Sequence, residues 1–133
     1  MDKPIVLLVD DEAHITCVVA EKLRAAGYAV TTARDGEEGL ELAARVHPAL
    51  VITDLQMPRM SGLELAVRLA ATDYGRRTPV MMLTARGYIL DKEAVAKTNI
   101  KAVMGKPFSA REVVKAAASL ISAGVPAGRT EAA

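Results

Sequence analysis

The chain of 133 residues contains no tryptophan, one phenylalanine and three tyrosines, so aromatics make up only 3% of it. A core must therefore be assembled from Val, Ile, Leu, Met and Ala, and the stacking platform that a single-stranded nucleic acid needs is not available. A single cysteine permits no internal disulfide, and that scarcity points to a reduced, cytoplasmic compartment. No apolar run approaches the roughly 18 residues needed to cross a bilayer. The stretch 5–9 is too short for the core of a signal peptide and is ended at once by Asp10, Asp11 and Glu12. Neither a glycine-rich dinucleotide loop, nor a phosphate-binding P-loop, nor a Ser/His/Asp set occurs. The expectation is a cytoplasmic protein that contacts no membrane.

What remains is a globular composition. Hydrophobic residues reach 51% and charged residues 25%, enough apolar mass for one domain that buries about two-thirds of its unfolded surface. A formal net charge of +1 argues against direct nucleic-acid binding. The charge is unevenly spread, however. Residues 1–66 hold six Lys and Arg against eleven Asp and Glu, a net of −5, whereas residues 67–133 hold eleven against five, a net of +6. The commoner meaning of such a split is a scattered solvated surface, and the sharper one is a basic partner face late in the chain.

Short apolar runs recur at 5–9, 29–32, 50–53, 80–83 and 100–104, several without the polar alternation of a half-exposed strand. That is the pattern of strands covered on both faces. Between the runs lie helical spacings. Ile15, Val18, Val19, Leu23 and Ala26 form a stripe closed by Gly27, and three further helix starts carry capping-box patterns at Asp35–Glu38, Ser61–Glu64 and Ser109–Glu112. Residues 91–98 are a shorter candidate. Five strands alternating with five helices predict an α/β, doubly wound, five-stranded parallel sheet, flavodoxin-like, with order 2-1-3-4-5. Residues 1–122 are expected to form this domain, with 123–133 as a C-terminal tail.

Open α/β sheets bind ligands beyond the carboxyl ends of their strands. The first strand runs into Asp10 and Asp11, the third into Asp54, the fourth into Thr84 and the fifth, past Gly105, into Lys106. With strands one and three about 4.8 Å apart, three carboxylates share one rim, and their mutual repulsion is relieved by a raised pKa or a bound cation. Hard oxygen ligands suit Mg²⁺, or Mn²⁺ in its stead. Thr84 and Lys106 supply a hydroxyl and a cation for phosphoryl oxygens, and Asp54 is the candidate nucleophile. Taken singly, each residue has an ordinary role open to it: turn, cap, strand end, solvated lysine.

The segment Asp54-Leu55-Gln56-Met57-Pro58-Arg59-Met60-Ser61-Gly62, together with Val9-Asp10-Asp11-Glu12, Leu83-Thr84-Ala85 and Lys106-Pro107-Phe108, resembles the receiver domain of two-component response regulators over residues 4–122. The resemblance implies the same strand order, and phosphorylation of Asp54 by a histidine kinase or histidine phosphotransfer protein. It implies Mg²⁺ on Asp11, Asp54 and the backbone carbonyl of Gln56, with Asp10 acting through water. It also implies that Lys106 pairs with one phosphoryl oxygen and that Thr84 swings to another, remodelling the face of helix four, strand five and helix five for a downstream protein target. Lys92, Lys97, Lys101, Arg111 and Lys115 fall in that region and suit an acidic partner.

Val103 departs from the family pattern, which places Tyr or Phe there as a switch. Tyr88 is a substitute from the neighbouring loop, and Gln56 and Arg86 occupy positions that tune phosphoryl lifetime. His14 and Cys17 sit at i, i+3, too few for a zinc site, while Phe108 is expected to anchor in the core and the methionines to fill it. The chain is expected to be a signalling domain rather than an enzyme, without an output domain. Two alternatives stand beside it: an interaction module that never accepts phosphate, and a Mg²⁺-dependent phosphatase with an aspartate nucleophile. The phosphatase class usually carries Asp-x-Asp after its first strand, whereas Asp10 and Asp11 are adjacent.

Overall fold

A computed structural model describes residues 3–85, 90–105 and 108–124. Its elements run β1 (Ile5–Val9), α1 (Ala13–Ala25), β2 (Ala29–Ala33), α2 (Gly36–Val46), β3 (Leu50–Asp54), α3 (Gly62–Ala70), β4 (Val80–Thr84), α4 (Lys92–Ala96), β5 (Ile100–Gly105) and α5 (Ala110–Gly124). The sheet is wholly parallel, in the order β2-β1-β3-β4-β5. This is the predicted architecture.

Burial follows position in the sheet. β3 and β4 are buried at all five positions, and β1 at four of five, because helices cover both faces of the central strands. Leu7, Val9, Val51 and Met82 face Leu65 and Leu69 of α3 and Ala43 of α2. Leu8, Ile52, Met81 and Leu83 face Val19 and Leu23 of α1 and Val113 and Ala117 of α5. Phe108 is half-buried against this second cluster, as expected of an anchor.

The strands extend one residue beyond four of the apolar runs that predict them. Pairing continues to Val9↔Ala33, Asp54↔Leu83 and Thr84↔Gly105, since a parallel ladder needs backbone groups and not apolar side chains. Asp54 and Thr84 are therefore strand residues, held by the sheet. The predicted α1 stripe also shifts: Ala20 joins Val19 and Leu23 in the core, while Val18 is 52% exposed.

The helix ends are built by local chemistry. Gly27 adopts φ 104°, and the Tyr28 and Gly27 amides donate to the carbonyls of Leu23 and Arg24 at 3.1 and 3.0 Å. These two bonds close α1 in a Schellman motif. Ser109 and Glu112 form a full capping box, each amide donating to the other's side chain at 2.9 and 3.1 Å. At α2, Asp35 accepts from the Glu38 amide, but Glu38 reaches back one residue further, to the amide of Arg34. At α3, Ser61 caps the Glu64 amide, while the Glu64 carboxylate turns to Arg68 at 2.9 Å.

Candidate functional site

β1 and β3 are adjacent, with Val9 opposite Thr53, so the residues that follow in each chain direction meet at one end of the sheet. The Asp10 amide donates to the Ala33 carbonyl at 3.1 Å, and its Oδ1 accepts from the Glu12 amide at 2.9 Å. One oxygen of Asp10 thus organises the turn into α1, whose N-cap residue Glu12 makes no side-chain cap of its own. Asp54 ends β3, and the next residue is fixed by Leu55 N–H donating to the Leu83 carbonyl at 2.8 Å.

Asp10, Asp11 and Asp54 each offer a carboxylate oxygen, and the three atoms lie within 4.8 Å of one another. Asp10 and Asp54 are buried and Asp11 is exposed. Two like charges at this separation repel by about 1 to 3 kcal/mol between the aqueous and protein-surface limits, so the trio favours a cation. Oxygen donors of this kind, with one exposed to solvent, fit a small hard divalent ion that retains part of its water.

Thr84 ends the neighbouring strand β4. Its side chain is buried, and its Oγ1 has no hydrogen-bond partner among the described residues. Val103 sits on the same sheet face, one pleat back on β5, because Val103 pairs with Met82 and Gly105 with Thr84. It is 50% exposed. α4 buries none of its residues, which leaves that side of β5 open. Lys106, Tyr88 and Arg86 lie outside the described residues.

The loop from Asp54 to α3 is shaped by contacts that sequence reasoning did not isolate. Gly62 N–H donates to the Leu55 carbonyl at 2.9 Å, and a Cβ on Gly62 would stand 2.3 Å from the Asp54 carbonyl oxygen. Met60 is buried against Gly36, where an added Cβ would meet its Sδ at 2.8 Å. Arg59, at φ 69°, pairs with Asp35 at 3.1 Å and with Glu37 at 4.0 Å. The Met60 and Arg59 contacts tie the loop to the start of α2. The glycines were visible in the sequence, but the partner of each was not.

His14 and Cys17 are both exposed on α1, and the aspartate trio is the only cluster of metal-ligating type among the described residues. No helix among the described residues is long and apolar enough to cross a membrane.

Residues 6–118 match the response regulator receiver domain. The chain belongs to this family. Receiver domains are the signalling units of two-component systems and interact with histidine kinases. The receiver is 40% identical over 114 residues to the transcriptional regulatory protein YkoG of Bacillus subtilis, covering 86% of this chain and 49% of YkoG. It is 37% identical over 108 residues to the alkaline phosphatase synthesis regulatory protein PhoP of the same species, covering 81% and 44%. The chain thus spans about half the length of these relatives.

In structure, the receiver resembles chemotaxis protein CheY4 of Vibrio cholerae, with a TM-score of 0.82 and 30% identity over 89% of this chain and 98% of that one. It also resembles the receiver domain of the sensor histidine kinase PA1611 of Pseudomonas aeruginosa, with a TM-score of 0.80 and 27% identity over 92% and 99%. That domain holds a magnesium ion coordinated in its active-site cleft.

Proposed function

We propose that this receiver takes a phosphoryl group on Asp54 from a histidine kinase or a histidine phosphotransfer protein, with Mg²⁺ or Mn²⁺ as cofactor, and passes the signal to a downstream protein. The observation that carries this reading is the convergence of Asp10, Asp11 and Asp54 within 4.8 Å, with Asp54 fixed as the last residue of a buried central strand. A magnesium ion in the corresponding cleft of the PA1611 receiver supports the choice of metal.

In this reading an Asp54 carboxylate oxygen attacks the phosphorus of a phosphohistidine. The O–P bond forms as the N–P bond breaks, and the bonding pair leaves with the imidazole, which takes up a proton. Asp11, Asp54 and the Gln56 carbonyl hold the metal, while Asp10 acts through water and keeps the turn into α1. The metal supplies positive charge against the phosphoryl oxygens. Lys106 pairs with one of those oxygens and the Thr84 hydroxyl hydrogen-bonds another. A buried hydroxyl without a partner among the described residues is suited to that bond, because an unsatisfied polar group costs free energy until it is satisfied.

The remaining steps are a shift between two populated surfaces. Thr84 draws the β4–α4 loop toward the phosphate, and the α4–β5–α5 face changes for a protein target. Val103 lies on the Thr84 side of the sheet and has no ring of its own to report the movement, a part that Tyr88 takes in this reading. Lys92, Lys97, Lys101, Arg111 and Lys115 are all exposed and favour an acidic partner. The receiver acts in the cytoplasm, its domain reaching the end of α5 at Gly124 rather than stopping at residue 122, through proteins rather than direct contact with nucleic acid, and without multiple-turnover catalysis.

A beryllofluoride titration monitored by amide NMR tests this reading. Mg²⁺-dependent shifts at the ends of β1, β3 and β4 that spread to β5, and are lost in Asp54→Asn, are expected. Shifts that persist in Asp54→Asn would contradict it.

A further inference from the structure

Far from the aspartates, at the amino-terminal ends of β4 and β5, lies a cavity of about 320 Å³ lined by Arg76, Arg77, Pro79, Asn99, Lys101 and Leu120. Three of these side chains are cationic and exposed. None of the three has an ion-pair partner among the described residues, whereas Arg34 and Arg68 each have one and Arg59 has two. The floor is aliphatic, from the buried Pro79 and the half-buried Leu120.

The cations are presented by a rigid frame. Arg76 and Arg77 stand on the α3–β4 connection, where Thr72 Oγ1 donates to the Leu69 carbonyl at 2.7 Å and accepts from the Gly75 amide at 2.9 Å. The Arg76 amide donates to the Thr72 carbonyl at 3.0 Å, and Thr78 Oγ1 to the Tyr74 carbonyl at 3.2 Å. Gly75 packs so closely that a Cβ would lie 2.6 Å from the Leu69 carbonyl oxygen. Lys101 is set by a different device. β5 pairs Ile100 with Val80 and Ala102 with Met81, so Lys101 is the extra residue of a bulge, the feature by which a strand re-aims one side chain.

We propose that this cavity is a docking site for a short acidic peptide segment of a partner protein, one that carries an aliphatic side chain between its carboxylates. The aliphatic side chain enters over Pro79 and Leu120, and the carboxylates meet Arg76, Arg77 and Lys101, with guanidinium forks suited to two-oxygen contacts. A nucleic acid fits less well. No aromatic ring among the described residues lines the cavity to stack a base, and the acidic first half of the chain, net −5 over residues 1–66, repels an extended polyanion.

The test is amide NMR and fluorescence anisotropy on the full chain with a labelled Asp-Glu-Leu-Glu-Asp peptide, at low and moderate salt. Shifts confined to residues around the cavity, weakened by salt and by replacement of the peptide's Leu with Ser, are expected. Arg76→Glu combined with Arg77→Glu should weaken binding by about tenfold or more, while Asp54 in that variant still takes phosphate from acetyl phosphate. Absence of shifts overturns the proposal. So does equal binding of inorganic phosphate, tighter binding of an oligothymidine of matched charge, or protein self-association that accounts for the shifts.

Discussion

The backbone of Gly62 rests against Asp54: a Cβ at position 62 would come within 2.3 Å of the Asp54 carbonyl oxygen. The first residue of α3 is thereby pressed onto the last residue of β3, and the intervening loop closes through Gly62 N–H to the Leu55 carbonyl. A side chain here must displace the residue proposed to accept phosphate.

Gly62→Ala should therefore destabilise the protein by about 1 to 3 kcal/mol, the usual cost of forcing a group into a packed site. Urea unfolding of the variant reads that loss directly. Its labelling by acetyl phosphate should fall as well, because Asp54 moves. Unchanged stability and labelling would remove this contact from the account.

Much of this was legible beforehand, for identifiable reasons. Runs at 50–53 and 80–83 that are apolar at every position but Thr53 announce strands covered on both sides, and β3 and β4 are buried throughout. The aspartates are legible because strand order alone brings 10, 11 and 54 together. The loop's internal ties were not legible, since Arg59 with Asp35 and Met60 with Gly36 are pairings across 24 residues that no periodicity encodes. The strand ends lie beyond the apolar runs because hydrophobicity stops at Ile52 and Leu83 while the backbone ladder continues through Asp54 and Thr84. Val18 was assigned inward on helical period alone, and the actual buried face is centred on Val19, Ala20 and Leu23.

Thr84→Val separates stability from signalling. The substitution replaces a buried hydroxyl that has no partner among the described residues with a methyl of similar shape, so stability should hold or rise by about 1 kcal/mol. The beryllofluoride response in β5 should nevertheless be lost, and Thr84→Ser should restore it. Chemical denaturation and NMR on both variants check the two halves. A Thr84→Val protein that still transmits the change to β5 would show that the hydroxyl is not the relay.

Metal dependence should appear in melting. Without divalent ions, Asp11→Ala should match or exceed the wild-type Tm, because one of three converging carboxylates is gone. Adding MgCl₂ should stabilise the wild type, by about 2.7 kcal/mol at one hundred times its Kd, and leave Asp11→Ala nearly unmoved. Equal responses from the two proteins would place the ion elsewhere.

Asp35 carries two bonds at once, accepting from the Glu38 amide at 2.9 Å and from Arg59 at 3.1 Å. Asp35→Ala should cost about 1 kcal/mol through the lost helix cap, whereas Arg59→Ala should cost less, since its ion pair is exposed. A double-mutant cycle by urea unfolding gives the coupling, expected below about 1 kcal/mol. A coupling that accounts for nearly the whole cost of Asp35→Ala would mean that the loop clasp, and not the cap, dominates.

The most direct measurement is the intact mass of the protein after incubation with acetyl phosphate and Mg²⁺, beside Asp54→Asn and a sample containing a chelator. One added phosphoryl group on the wild type, with none on the variant or without metal, is the expected result. A wild type that takes up no phosphoryl group and gives no beryllofluoride response, or a variant that is labelled equally, would contradict Asp54 as the phosphoacceptor.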